Sequence, residues 1–326
     1  MDRRRLSVSP DPHVSIVMPV RDEAENLERA LDACLGQDYA GPIEIVVAYG
    51  ESSDNTRGIL SSYEVAHAVR VVDNPTGTAP AGLNAAIEAA EGTVIVRCDG
   101  HSTLPSGYVS RAVGMLQATG AGNVGGVQRA VGTAPLQRAI ARAMTNPAGV
   151  GDARFHSSGP AGPTDTVYLG VFDRAALDEV GGFDPTLDRN QDYELNVRLR
   201  NAGWTVWFDP SLEVEYAPRS TFRSLWSQYY DYGKWKRRVL GKHPGSVRAR
   251  QVAPPVLVVG LVGSVLLLAT PARRFGMAFI GGYLGVLAGV GVYEAIRTGD
   301  PAAVLSGPAI GVMHGSWGSG FLTGRT

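Results

Sequence analysis

The feature that most limits this chain is an unbroken alternation of strand-like and helix-like segments from His13 to Cys98. His13 to Met18 is a short apolar run closed by Pro19, which reads as a buried strand. Glu23 to Gln37 then carries Leu27, Ala30, Leu31, Cys34 and Leu35 at helical spacing. The pattern repeats with a strand at Ile43 to Ala48, a helix at Asp54 to Tyr63 and a strand at Val69 to Val72. A helix from about Pro80 to Glu91 and a strand at Thr93 to Cys98 complete it. Short connections between alternating elements predict an α/β fold with a mainly parallel sheet covered on both faces. Such sheets bind ligands beyond the carboxyl ends of their strands. Functional residues are therefore expected just after Met18, Ala48, Val72 and Cys98.

Polar groups stand at all four places. Pro19, Arg21, Asp22 and Glu23 follow the first strand, and Glu51, Ser52, Ser53 and Asp54 the second. A Gly/Pro-rich loop leads to Asn84 after the third, and Asp99-Gly100-His101 follows the fourth. Each has a plain structural reading as well, since Ser53 or Asp54 can cap a helix and Gly/Pro loops make turns. Asp99 and His101 can face one ligand across a tight turn, and a carboxylate with an imidazole suits manganese and tolerates magnesium. Further on, Asp192 opens a helical run, where the dipole favours an ionised carboxylate. It suits a general base, or a helix cap, and Glu194 suits a helix-start charge equally well. Arg198 and Arg200 read as the outward face of that helix.

These residues resemble a known pattern, that of the inverting family-2 glycosyltransferases with the GT-A fold, and look closest to the bacterial exopolysaccharide glucosyltransferases of the succinoglycan type. The resemblance runs from Val14 to about Arg238, and more weakly beyond. It implies a donor loop at Val14 to Glu23, with Pro19, Arg21 and Glu23 touching the nucleotide sugar. Glu51-Ser52-Ser53-Asp54-Asn55-Thr56 is similar to the family's nucleotide loop, which puts Glu51 on the base and Asp54 near base or ribose. Gly82-Leu83-Asn84 resembles the segment beside the donor. Asp99-Gly100-His101 holds the place of the Asp-x-Asp metal motif, implying a divalent cation, Mn2+ or Mg2+, on Asp99 and His101. Gln191-Asp192-Tyr193-Glu194 matches the acidic-Asp motif with Gln191 in place of Glu, so Asp192 inherits the role of catalytic base. The acceptor side would include Gln191, Glu194, Lys234, Trp235 and Arg237. The Gln-x-x-Arg-Trp motif of processive members is missing after Asp192, which implies addition of one sugar. A UDP-sugar donor and a polyprenyl-linked saccharide acceptor are implied. The alternatives are a polyprenyl-phosphate monoglycosyl synthase, in which phosphate is the acceptor, and a nucleotide-binding membrane pseudoenzyme or scaffold.

Composition changes sharply beyond Val252, where charge nearly vanishes and Leu, Val, Gly and Ala dominate. The expected organisation is a tail at 1–12, a catalytic domain at 13–218, a basic aromatic interfacial helix at 219–250 and a membrane domain at 251–326. Residues 219 to 250 hold nine Lys/Arg against the single acid Asp231, which suits a helix lying on anionic lipid. Two spans are expected, Val252 to Thr270 and Phe275 to Ile296, with a third at Ala302 to Leu322. Pro254 and Pro255 shorten the first, which either crosses or re-enters. Neither the net charge of −1 nor any basic stripe in the soluble part suggests nucleic acid. Two cysteines are too few for a disulfide framework. Arg3-Arg4-Arg5 is followed by no apolar core, so no signal peptide is read, and the catalytic domain is expected on the cytoplasmic side of the cell membrane.

Overall fold

The computed structural model describes residues 10–67, 69–157 and 159–324 of the 326. The basic start of the N-terminal tail lies outside the described residues. In chain order the elements are β1 (Val14–Val20), α1 (Leu27–Leu35), β2 (Ile43–Tyr49), α2 (Thr56–His67), β3 (Arg70–Asp73), α3 (Ala79–Ala89), β4 (Val94–Arg97) and α4 (Tyr108–Thr119). β5 (Asn123–Ala130), α5 (Pro135–Thr145), α6 (Pro147–Val150), α7 (Arg154–Ser157), β6 (Gly162–Pro163), β7 (Tyr168–Asp173), α8 (Arg174–Val180) and α9 (Gln191–Asn201) follow. The remainder is β8 (Val206–Tyr216), α10 (Phe222–Lys242), α11 (Ala249–Leu267), α12 (Arg273–Thr298) and α13 (Ser306–Thr323). They form two compact units: residues up to Gln128 with Ser158–Glu215, and Arg129–Ser157 with Tyr216 onward.

The first unit is built on an eight-stranded sheet of order β3-β2-β1-β4-β7-β5-β8-β6. The pairs β1–β2, β2–β3 and β1–β4 are parallel, as the alternation requires, while β7 pairs antiparallel with both β4 and β5. Both faces are buried, which is why β1 reads as a continuous apolar run. Val14, Ile16 and Met18 pack with Leu27 and Leu31 of α1 and Tyr108 and Val109 of α4. Val17 and Ile95 face the other way, onto Leu83 and Ala86 of α3, Leu177 of α8 and Leu195 and Leu199 of α9. The register aligns Val20 with Tyr49, Tyr49 with Asp73 and Val17 with Arg97. The four predicted loops thus leave one edge, and the strand order reverses between β1 and β4.

The second unit takes in residues 129–157, which sequence reading placed inside the catalytic domain. The reason is amphipathicity: Ile140, Ala143 and Met144 of α5 bury themselves among Leu225, Tyr229, Ala309, Ile310 and Met313. In α10 the buried positions Leu225, Tyr229, Gly233, Lys236 and Val239 recur at helical spacing. The backbone of α13 comes so close to Gly233 that a Cβ there would collide with the Trp317 carbonyl. Thr221 caps α10, its Oγ1 accepting from the Ser224 amide at 3.1 Å.

Among the described residues two helices are long and apolar enough to cross a membrane, Ala249–Leu267 and Arg273–Thr298, and only 11% and 17% of their most apolar windows are buried. At 1.5 Å per residue they run roughly 28 and 39 Å, against a hydrocarbon core of about 30 Å. The first runs helically through Pro254 and Pro255. The third expected span differs. α13 is 18 residues long and turns Ala309, Ile310, Met313, Ser316, Gly318 and Gly320 inward, so it packs as a core helix of this unit.

Candidate active site

The reversal of strand order brings the loops after β1 and β4 side by side, and the site grows from them. β4 closes on Arg97, the one charged residue of an otherwise apolar strand. Its side chain is 7% exposed and lies over the Phe183 ring at 6.0 Å. Arg97 Nε and Nη2 donate to Asp99 Oδ1 at 3.0 and 2.9 Å, and Nη1 donates to Asp192 Oδ1. Burial works against the charge of Arg97, but the two carboxylates together outweigh it and raise its pKa, so it stays protonated. Asp192 and Asp99, distant in sequence, thus meet at one guanidinium.

Asp192 sits in the first turn of α9, entered through Asn190 in the left-handed region at φ 59°. Its side chain is 40% exposed. Removal from solvent raises its pKa, Arg97 pulls it down and the charge of Asp99 adds to the rise, with the net shift upward. Gln191 beside it is buried.

On the other side of Asp99, His101 Nδ1 bonds Glu23 Oε1 at 2.8 Å. That bond raises the His101 pKa, partly opposed by burial, and the charge of Asp99 raises it further. A carboxylate on one ring nitrogen is how metal-binding imidazoles are usually oriented. It puts the proton on Nδ1 and leaves Nε2 as the donor atom, while Arg97 takes only Oδ1 of Asp99. The donor types of the pair suit a hard or borderline divalent cation and would supply two positions of its shell. Among the described residues no cluster of three or more His, Cys, Asp or Glu side chains converges to hold an ion. The remaining positions would have to come from water and a ligand, as an oxygen-rich diphosphate supplies.

The loops after β1 and β2 are tied to each other. Asp54 Oδ1 accepts from the Thr56 amide at 3.0 Å and Oδ2 from the Ala24 amide at 2.9 Å. Asp22, at φ 53°, accepts from the Ser53 amide at 2.7 Å, and its own amide donates to Ser52 Oγ at 3.0 Å. The Glu23 amide donates to Thr56 Oγ1 at 2.9 Å. Asp54 is therefore a helix cap and loop clasp, and its hydrogen bonds lower its pKa, that of the Thr56 hydroxyl most. Glu51 stays exposed at the rim, and Pro19 pairs with Ala48 inside the sheet. The Arg21 side chain lies across Gly77, where φ is 63° and a Cβ would fall 2.9 Å from Nη1.

Asn84 and Glu194 hold structure. The Asn84 amide closes a two-way bond with the Phe183 backbone, Nδ2 to the carbonyl at 2.7 Å and Oδ1 from the amide at 2.8 Å. Gly182 makes room for it, since at φ 70° an added Cβ would stand 2.8 Å from Asn84 Oδ1. Glu194, 2% exposed, takes the Arg198 fork at 2.7 to 3.0 Å, and Arg198 also donates to the carbonyls of Val180 and Gly182. Arg198 is thus not on an outward face, because the α8–α9 turn leaves two carbonyls that only a long cation reaches. Replacing Glu194 by Ala should cost stability near the lower end of about 3–5 kcal/mol, because Arg198 keeps some solvent. A thermal melt should fall by roughly 6–12 °C, and an unchanged melt would remove Glu194 from the frame of the site.

Lys234, Trp235 and Arg237 lie on α10 in the second unit. Arg238 stacks on the Trp235 ring at 4.2 Å, and Arg237 faces Phe321 at 5.6 Å. Arg97 was not among the residues picked from sequence. The signal available was a charged residue ending a strand that is otherwise Val-Ile-Val.

Comparison with known proteins follows this geometry. The family described as Glycosyl transferase family 2 matches residues 15–181. A succinoglycan biosynthesis protein, ExoA of Rhizobium meliloti, is 29% identical over 310 residues, covering 94% of this chain and 93% of that protein. A dolichyl N-acetyl-alpha-D-glucosaminyl phosphate 3-beta-D-2,3-diacetamido-2,3-dideoxy-beta-D-glucuronosyltransferase of Methanococcus voltae is 21% identical, covering 70% and 74%. Among solved structures, a mannosyltransferase from Pyrobaculum calidifontis in complex with GDP-Man and Mn2+ superposes with TM-score 0.64 at 20% identity, covering 96% and 90%. S. aureus TarS in complex with UDP superposes with TM-score 0.51 at 13% identity, covering 95% and 90%. These likenesses agree with the GT-A fold that the resemblance to the family implies.

Proposed function

Since this chain belongs to glycosyl transferase family 2, we propose that it transfers one sugar from a nucleotide-sugar donor to a lipid-linked saccharide, with inversion at the anomeric carbon. The observation that carries this reading is the meeting of Asp99 and Asp192 on Arg97, with His101 and Glu23 beside them. A donor-end carboxylate and a candidate base thus share one guanidinium.

The chemistry follows from that placement. A divalent cation held by Asp99 and His101 would neutralise charge on the departing diphosphate as a Lewis acid. Asp192 takes the proton of the acceptor hydroxyl on its free oxygen. The acceptor oxygen then bonds to the anomeric carbon from the face opposite the breaking bond to phosphate. The nucleoside diphosphate leaves with that electron pair, and one displacement inverts the centre. Glu23 holds the His101 ring, and the clasp of Asp22, Ser53 and Asp54 holds the donor loops, with Glu51 and Arg21 at the rim for the nucleotide. Both UDP and GDP-mannose occupy structures of this fold. We assign UDP-sugars as the donors here.

The exposed helices α11 and α12 support attachment to the cell membrane, where a polyprenyl-linked acceptor resides. Holding enzyme and acceptor at one surface raises their effective concentration. We place the catalytic unit on the cytoplasmic side, where nucleotide sugars are made, and relatives named for succinoglycan and for a dolichyl-phosphate-linked sugar support such an acceptor.

The test is a donor screen on membranes carrying the protein, with lipid extract as acceptor. Nucleoside diphosphate release is read with Mn2+, Mg2+ or chelator, and the anomeric configuration of the product by NMR. Release is expected from a UDP-sugar, to be lost with chelator and restored by either ion. Transfer only to water-soluble acceptors, or a retained configuration, would refute the assignment.

A further inference from the structure

The proposed mechanism leaves Arg97 without a role of its own, although it is buried between the two carboxylates of the site. β4 could end on any apolar residue, yet it ends on a guanidinium that is 7% exposed. Burying a cation is costly unless partners satisfy it. Here the fork divides, Nε and Nη2 to Asp99 Oδ1 and Nη1 to Asp192 Oδ1. The guanidinium cannot slide, because the Phe183 ring lies against it and the Phe183 backbone is clamped by Asn84. Asp192, by contrast, is 40% exposed on the first turn of its helix, and Arg97 is the cation whose bonds hold it.

We infer that Arg97 is a positioning residue that sets the base Asp192 at a fixed offset from the donor-end carboxylate Asp99. The inference rests on the reading of Asp192 as base. One oxygen of each carboxylate is spent on the guanidinium, and the other takes no bond from it. With Asp99 as its anchor, the fork thereby sets the second oxygen of Asp192 for the acceptor hydroxyl. It also screens two like charges that would otherwise push Asp192 away from Asp99. A lysine would supply the charge as a single point without the planar fork.

The experiment is a series of Arg97→Lys, Arg97→Met, Asp192→Asn and the double variant Arg97→Lys with Asp192→Asn, all in the full membrane-bound chain. Transfer kinetics are read alongside two measurements that need no turnover, nucleoside diphosphate binding by calorimetry with Mn2+ and thermal melting. Arg97→Lys should lower kcat about 10²-fold, the size of effect that a misplacement of roughly 1 Å produces. Its donor KM and nucleoside diphosphate affinity should stay within about 3-fold, a small change beside the loss in kcat. Arg97→Met should lose more. In the Asp192→Asn background, Arg97→Lys should add little, because its effect runs through Asp192. The inference fails if Arg97→Lys keeps the parental kcat, if its loss multiplies fully with that of Asp192→Asn, or if kcat, binding and melting temperature fall together. Should Arg97→Met not fold, the lysine variant and the cycle still decide. Normal transfer by Asp192→Asn alone would instead sink the base reading, which separates the two failures.

Discussion

Asp192→Asn should lower sugar transfer by about 10³-fold while nucleoside diphosphate affinity stays within a few-fold. General-base catalysis contributes roughly 10²–10⁴, and the asparagine keeps an oxygen for Arg97 while losing the ability to take a proton. The Arg97–Asp192 contact should survive, so the donor end of the site keeps its shape. The pH profile gives a second reading. An aspartate at its ordinary pKa, near 3.9, would be fully ionised throughout the working range. Removal from solvent raises the folded pKa of Asp192, with Arg97 opposing and Asp99 assisting. A base must be ionised, so activity should fall as pH drops through that raised value, with the acid limb above the ordinary aspartate range. Asp192→Asn should lack this limb in whatever transfer remains. A full-rate Asp192→Asn enzyme, or a parental limb left unmoved in the variant, would contradict the role.

Much of this architecture is legible in the residues, and the boundary of what is legible has physical causes. The β1 to β4 half could be read because alternation, short loops and double burial leave few other solutions for runs such as Val14 to Met18. Residues 162 to 173 were harder, since β7 pairs antiparallel with β4 and β5 through contacts between segments far apart in the chain. Leu169 has φ 41° near an irregularity between Val124 and Gly126, a local geometry no pattern announces. Residues 129–157 join the second unit for a similar reason, since the partners of α5 lie in α10 and α13, far along the chain.

At the site, the residues whose chemistry is exposed were the readable ones. Asp99, from the loop after β4, and Asp192, from the first turn of α9, meet at Arg97, and His101 follows Asp99 by two residues. Asp54, Asn84 and Glu194 look the same in sequence, yet their polar atoms serve backbone amides, the Phe183 turn and Arg198. A carboxylate that grips a substrate and one that grips a loop differ only in what surrounds them. Arg97 escaped notice for the converse reason, because a charge at a strand end usually reaches water, and only the fold shows this one turned inward.

The same division of labour makes Asp99→Ala the most damaging single change expected. It removes the proposed cation ligand, so the rate of nucleoside diphosphate release should fall by about 10³-fold or more, the several kcal/mol of charge stabilisation that the cation would supply. It also leaves the whole Arg97 fork to Asp192, which should be drawn deeper into the ion pair and made a weaker base. Asp99→Asn separates the two effects, since its amide oxygen can still accept from Arg97 at the Oδ1 position. Asn should therefore lose less than Ala at saturating Mn2+ and should require more Mn2+ for half-maximal rate. His101→Asp supplies the contrast. It supplies a second carboxylate where the family usually has one, puts a charged oxygen donor in place of the imidazole nitrogen, and should retain transfer within roughly ten-fold, about 1.4 kcal/mol. Nucleoside diphosphate release across a Mn2+ titration of the three variants measures this. Equal activity of Asp99→Ala and the parent, or identical Mn2+ dependence of Asp99→Asn and the parent, would remove Asp99 from the cation site.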